Sequence, residues 1–92
     1  MGVFAGIDIG STTTKVVLVG DDKVILGRLT PSGSLPGKTA RELYEKVLAE
    51  AGLRTDSVTL SAATGYGRRL VDWCDIVLTE IKAFASGVLS IE

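Results

Sequence analysis

The sequence predicts a mixed α/β sheet in the order βββ-α-β-α-β-α, three antiparallel strands followed by parallel crossovers. Three observations carry that prediction. The N-terminal third holds three β-branched, apolar runs separated only by short polar turns. One stripe of apolar residues then recurs with a helical period. Beyond it lie two shorter apolar runs, each followed by a helical pattern. An antiparallel meander that continues through right-handed crossovers yields a mixed sheet with helices on its faces.

Val3–Ile9 (VFAGIDI) is strand-forming along its length, as a strand buried on both faces requires. KVVLV at residues 15–19 forms a second strand, GDD at 20–22 supplies turn chemistry, and KVILGRL at 23–29 resumes strand character. Together they predict a tight hairpin. Gly27 marks a bulge or bend in the third strand. TPSGSLPG at 30–37 contains both prolines and reads as a loop.

Ala40, Leu43, Tyr44, Val47, Leu48 and Ala51 fall at i, i+3, i+4, i+7, i+8 and i+11, one apolar face of a helix over 38–51. Glu42 and Lys46 stand i, i+4 on its outer side. Gly52 followed by Leu53 supplies a glycine stop with its hydrophobic contact. SVTLSA at 57–62 predicts a fourth strand, TGYGRR at 64–69 the loop after it, 67–73 a short helix, and DIVL at 75–78 a fifth strand. Thr79 caps a last helix, with Glu80 in the first turn where a carboxylate favours the positive helix end. Ile81, Phe84, Ala85 and Val88 form the apolar face of that helix.

The composition narrows the function. A chain of 92 residues is one small domain with a modest core and marginal stability. With 46% hydrophobic and 23% charged residues it is globular. A net charge of −1 gathers neither nucleic acid nor anionic membrane. Cys74 is the single cysteine, which excludes an internal disulfide and a Cys-cluster site from one copy. The absence of histidine excludes His-based general base catalysis and His-ligated zinc. No apolar run approaches the ~20 residues of a membrane span. The first nine residues lack the basic start of a signal peptide, so a cytoplasmic protein is expected.

The chemistry concentrates in GIDIGSTTTK, residues 6–15. A hairpin connected through Gly10, Ser11, Thr12 and Thr13 presents successive backbone N–H groups and hydroxyls, which can wrap an anion. Asp8 at the strand end repels a bare phosphate. A carboxylate there makes sense beside a hard cation, and Mg²⁺ takes one or two carboxylates together with phosphate oxygens and water. Lys15 can neutralise further phosphate charge unless strand alternation points it elsewhere. The spacing alone suits an ordinary polar turn equally well. It contains neither a P-loop nor a Rossmann fingerprint.

GIDIGSTTTK resembles the first phosphate motif of the actin, hexokinase and heat-shock chaperone ATPase superfamily, whose halves have a ribonuclease-H-like fold with this strand order. Alone, it fits a sugar-kinase-like phosphotransferase as well. ATGYGRR at 63–69 and TEIKAFASG at 79–87 narrow the match. The set resembles the activator ATPases of 2-hydroxyacyl-CoA dehydratases and the related ATPase subunits of benzoyl-CoA reductase.

The resemblance implies homodimers or pseudo-dimers that share one [4Fe–4S] cluster. They hydrolyse ATP to drive a low-potential electron onto a dehydratase or reductase partner. It implies that Asp8 orients Mg²⁺ and its water, and that Gly10, Ser11, Thr12 and Thr13 cradle the β- and γ-phosphates. Gly65 and Gly67 fall on the cleft side of the sheet, where α/β folds bind ligands. The plainer alternative is a tight turn with Tyr66 packed on the domain. Glu80 is either a helix-end charge or a cleft residue near the attacking water.

Three features depart from the family pattern. The chain ends at Glu92, where the family continues into a second half that carries the second phosphate loop, the adenosine segment and the cluster cysteines. Phe84 stands where the family has a histidine, and Cys74 matches no cluster ligand and reads as a buried structural thiol. The sequence therefore predicts the N-terminal half of an ATP-dependent activator over residues 1–92. The alternative is a non-catalytic module that docks with a second half or with itself, since Val88, Leu89 and Ile91 crowd its end.

Overall fold

The computed structural model describes residues 2–21, 23–67 and 70–77. β1 (Val3–Ile9), β2 (Thr13–Gly20) and β3 (Lys23–Pro31) form the antiparallel meander, and α1 (Pro36–Glu50) follows it. β4 (Leu60–Thr64) and β5 (Ile76–Val77) complete a five-stranded sheet in the order β3-β2-β1-β4-β5. β4 runs parallel to β1, and β5 runs parallel to β4. β1 is thus the central strand, and both β1 and β4 end at the same edge of the sheet.

Strand alternation divides the sheet into two faces. Ala5, Ile7 and Ile9 of β1 join Val16 and Leu18 of β2 and Ala63 of β4 on one face. α1 covers that face with Ala40, Leu43, Tyr44, Val47 and Leu48, the stripe its sequence spacing predicts. Asp8 falls on the opposite face, directly across from Lys15 on one side and Thr64 on the other. The alternation that buries Ile7 and Ile9 in the core is therefore what turns Asp8 away from it.

Pro36 sits in the first turn of α1, where its missing N–H costs nothing. At the other end Gly52 adopts φ +72°. Its N–H donates to Ala49 O (3.1 Å), and the Leu53 N–H donates to Leu48 O (2.8 Å). This is the complete paired-carbonyl stop that the glycine predicts. The i, i+4 ion pair on α1 is Arg41–Glu45 (3.1 Å), one position before the Glu42–Lys46 pair expected.

Four expectations shift in detail. β2 and β3 run longer than predicted, because their ladder continues from Gly20↔Lys23 to Thr13↔Pro31. The bulge lies where Leu18 pairs Leu26 and Val19 pairs Val24, so Ile25 and not Gly27 is the extra residue. Residues 55–57 form a 3₁₀ turn, which delays the start of β4 to Leu60. Where a short helix over 67–73 is expected, the described residues show i→i+3 turns, Leu70 N–H to Gly67 O (2.9 Å) and Cys74 N–H to Val71 O (3.1 Å). The predicted helix after Thr79 lies outside the described residues, and with it Glu80, Phe84, Val88, Leu89 and Ile91.

The segment before β5 is held against α1 and β4. Trp73 stacks on Tyr44 with ring centroids 4.7 Å apart, and the Arg41 guanidinium lies 5.6 Å from the Trp73 ring centre. Asp75 accepts from the Ser61 N–H (2.8 Å) and Ser61 hydroxyl (3.2 Å), and its own N–H donates to Ser61 Oγ (3.1 Å). These bonds join β5 to β4 at its start. Among the described residues no helix is long and apolar enough to cross a membrane.

Candidate phosphate-binding site

The chain leaves β1 at Ile9, turns through three residues and the start of β2, and returns with the Gly10 N–H donating to Thr13 O (3.0 Å). The side chains of Ser11, Thr12 and Thr13 are exposed on the outside of this bend. Beneath it, the residue after β3 closes the loop from below. The Ser32 N–H donates to Thr12 O (2.9 Å), and the Ser32 hydroxyl donates to Gly10 O (2.7 Å).

β4 delivers a second loop to the same place. After Thr64, Gly65 adopts φ +92°, a conformation that favours glycine. A Cβ at Gly65 would collide with Ile9 O and would sit 2.8 Å from Asp8 Oδ1. Two residues on, the Gly67 N–H donates to Ile9 O (3.0 Å). The glycines let the TGYG turn lie directly on the end of β1. Between the two loops is an open groove of about 550 Å³, lined by Gly10, Ser11, Thr12, Thr13, Gly65 and Tyr66. It lies at the carboxyl ends of two parallel strands, where open α/β sheets bind ligands.

Of the residues singled out in the sequence, Gly10, Ser11, Thr12, Thr13 and Gly65 thus line one groove. Asp8 lies beside it in contact with Gly65, half-buried, and among the described residues its carboxylate has no ion-pair or hydrogen-bond partner. Gly67 is buried beneath the turn and holds it down. Lys15 is directly opposite Asp8 in the ladder but lines a separate hollow over β2 and β3 with Val17, Gly27, Arg28 and Leu29. Glu80 lies outside the described residues. Tyr66 does not pack on the domain: it is 87% exposed at the groove.

Sequence reasoning missed Ser32 and Thr14, both fully buried and bonded to each other at 2.8 Å. TPSGSLPG reads as loop by composition, and nothing local shows that one of its serines reaches back 22 residues to Gly10.

Cys74 is half-buried and packs against the core, away from the residues lining the groove. Burial pushes its thiol up from 9.0 to about 11, the nearby Asp75 carboxylate adds to the shift, and a hydrogen bond with Ser61 opposes it. Burial likewise pushes Tyr44 up to about 12. A raised folded-state value means that the unfolded chain ionises first as pH rises. The contribution to stability is intact below 9.0 and is lost as pH climbs through about 11. Urea melts at stepped pH should show that loss, and iodoacetamide at pH 8 should label the folded thiol far more slowly than the unfolded one. Equal labelling rates would contradict the burial.

A model of the BadF/BadG/BcrA/BcrD ATPase family matches residues 5–90. The chain belongs to this family. A family relative, the (R)-2-hydroxyglutaryl-CoA dehydratase activating ATPase of Acidaminococcus fermentans, is 33% identical over 84 residues, covering 89% of this chain and 32% of the relative. The crystal structure of that dehydratase's component A superposes with TM-score 0.74 at 28% identity, over 85% of this chain and 30% of the other. The activator of the 2-hydroxyisocaproyl-CoA dehydratase from Clostridium difficile, solved with bound ADPNP, shares the fold with TM-score 0.74 at 21% identity, over 97% of this chain and 34% of the other. An Escherichia coli protein, YjiL, is 39% identical over 87 residues, 95% of this chain and 32% of its own length. The chain therefore spans about a third of the length of these curated relatives. The actin-like ATPase fold of these neighbours agrees with the ribonuclease-H-like sheet expected from the sequence.

Proposed function

We propose that this chain is the N-terminal, phosphate-gripping half of an ATP-dependent activator that drives low-potential electron transfer to an acyl-CoA dehydratase or reductase in the cytoplasm. The observation that carries the reading is the groove in which the Ser-Thr loop and the TGYG turn meet beside Asp8. Family membership and the named functions of the relatives support it. The ADPNP bound in the C. difficile activator fits a nucleotide in this fold.

In this reading the residues divide the work by their chemistry. Ser11, Thr12 and Thr13 offer exposed hydroxyl donors to phosphate oxygens, and the backbone of their bend adds N–H groups without a bulky side chain at Gly10. Gly65 forms the second wall, and its lack of a side chain is what lets that wall lie against the end of β1 beside Asp8. Lys15 lines its own hollow and adds only longer-range positive charge from its position across from Asp8. The exposed ring of Tyr66 at the groove is free to meet the nucleotide or the facing half.

Mg²⁺ fits this donor set. Asp8 presents hard carboxylate oxygens with no partner among the described residues, next to a glycine whose missing side chain keeps the approach open. Asp8 would hold the ion directly or through its water. When bound, Mg²⁺ neutralises phosphate charge and polarises the transferred phosphoryl group. A [4Fe–4S] cluster does not fit: it is held by four cysteine thiolates, and the chain has one cysteine. In a homodimeric activator the cluster ligands, the second phosphate loop and the adenosine site belong to the second half. Glu80 remains a candidate for orienting the attacking water.

The test is Mg²⁺-dependent ATP hydrolysis by the full-length protein, wild type against Asp8→Asn. Undiminished turnover in the variant contradicts the reading.

A further inference from the structure

The groove depends on a residue that none of the roles above uses. Ser32, immediately after β3, is 1% exposed and makes three hydrogen bonds at the underside of the phosphate loop. Its hydroxyl has one proton, which goes to Gly10 O at 2.7 Å. Thr14 Oγ1, 2.8 Å away and fully buried, must then be the donor in the Thr14–Ser32 pair. The Ser32 backbone N–H takes up Thr12 O at 2.9 Å.

One residue therefore draws two loop carbonyls inward. No peptide bond among the described residues is cis. In a trans peptide the carbonyl and the following N–H point in opposite directions. With Gly10 O and Thr12 O drawn to Ser32, the N–H groups of Ser11 and Thr13 are directed away from it, and both residues line the groove. The Thr12 carbonyl is held by the Ser32 backbone, but the Gly10 carbonyl is held by the hydroxyl alone. Without that hydroxyl the Gly10–Ser11 peptide could rotate and present its carbonyl oxygen to the groove, where it would repel an anion.

We infer that Ser32 is the positioning residue that orients the Ser-Thr loop as a donor surface for a nucleotide polyphosphate, with Thr14 holding the Ser32 hydroxyl in the orientation that does this. The inference rests on the nucleotide reading, and it assigns the discrimination between phosphate-bearing and phosphate-free ligands to a side chain that never touches either.

The experiment is equilibrium binding of Mg²⁺–ATP and of adenosine to the full-length protein, in wild type, Ser32→Ala and the double variant Ser32→Ala/Thr14→Val. The double variant removes both hydroxyls, so no buried donor is left without a partner and the fold is spared that cost. Mg²⁺–ATP affinity is expected to fall about tenfold or more in both variants, with adenosine affinity within about twofold of wild type. Wild type that fails to bind Mg²⁺–ATP at all overturns the nucleotide reading itself. Wild type that binds, with variants that bind Mg²⁺–ATP equally well, overturns the role of Ser32 alone. Equal loss of adenosine and Mg²⁺–ATP marks Ser32 as merely structural and also overturns it.

Discussion

Asp8→Asn in the full-length protein lowers Mg²⁺-dependent ATP turnover by about 10²-fold or more and leaves the folded state standing. The stability half of that expectation comes from what Asp8 does not do. Its carboxylate has no ion-pair or hydrogen-bond partner among the described residues, so an amide of the same shape breaks nothing there. The backbone of Asp8 stays in register between Lys15 and Thr64. The activity half comes from charge. An amide oxygen is a weaker ligand than a carboxylate for a hard cation, and it does not compensate the ion's charge beside a polyphosphate. Phosphate release at saturating Mg²⁺–ATP reads the first effect, and a urea melt of the same variant reads the second. A variant that unfolds would show instead that Asp8 is a structural residue.

Gly65→Ala has the largest expected effect on the structure. The residue holds φ +92°, and its missing Cβ would collide with the carbonyl oxygen of Ile9. Ile9 cannot yield, because its side chain is fully buried in the central strand and its carbonyl is bonded to the Gly67 N–H. The cost is on the order of 3 kcal/mol, the left-handed conformation and the backbone collision together. A domain this small can lose its fold for that amount. If the turn detaches instead, the wall formed by Gly65 and Tyr66 leaves the groove. Gly52→Ala is the control. Gly52 has a similar φ of +72° with nothing within 4 Å of its would-be Cβ. It should cost only about 1 kcal/mol, the conformational part alone. Urea midpoints for the two variants separate the effects, and equal losses would contradict the close packing of Gly65 on β1.

The sequence made these two residues visible for different reasons. Asp8 interrupts an otherwise apolar strand, and a lone carboxylate in such a run demands an explanation on sequence grounds alone. The helical stripe of α1 is legible because one face of the helix is buried, and burial writes its period into the residue types. β1 reads instead as an unbroken strand-forming run, and Ala5, Gly6 and Ile7 are buried one after another. Gly65 was legible as turn chemistry, but its contact with Ile9 joins residues 56 positions apart and leaves no local trace.

Ser32 is the clearest case of what composition hides. A serine between two prolines looks like solvent-exposed loop, yet it is among the most buried polar residues described. Only the pairing of β2 with β3 carries it beneath Gly10 and Thr14. Tyr66 erred in the other direction. An aromatic residue usually signals packing, and here the turn that Gly65 and Gly67 clamp onto β1 holds the ring outward. The bulge at Ile25 was likewise invisible, because a register shift depends on both strands and Gly27 was merely the more conspicuous residue.

Amide NMR of this chain, titrated with Mg²⁺–ATP, tests the grip on polyphosphate most directly. The N–H signals of Ser11, Thr13 and Gly65 should move together and saturate, with the final turn of α1 at Ala49 and Glu50 unmoved and with little change when ATP is added without the metal. Shifts spread evenly over the sheet, or none at the bend between β1 and β2, would contradict it.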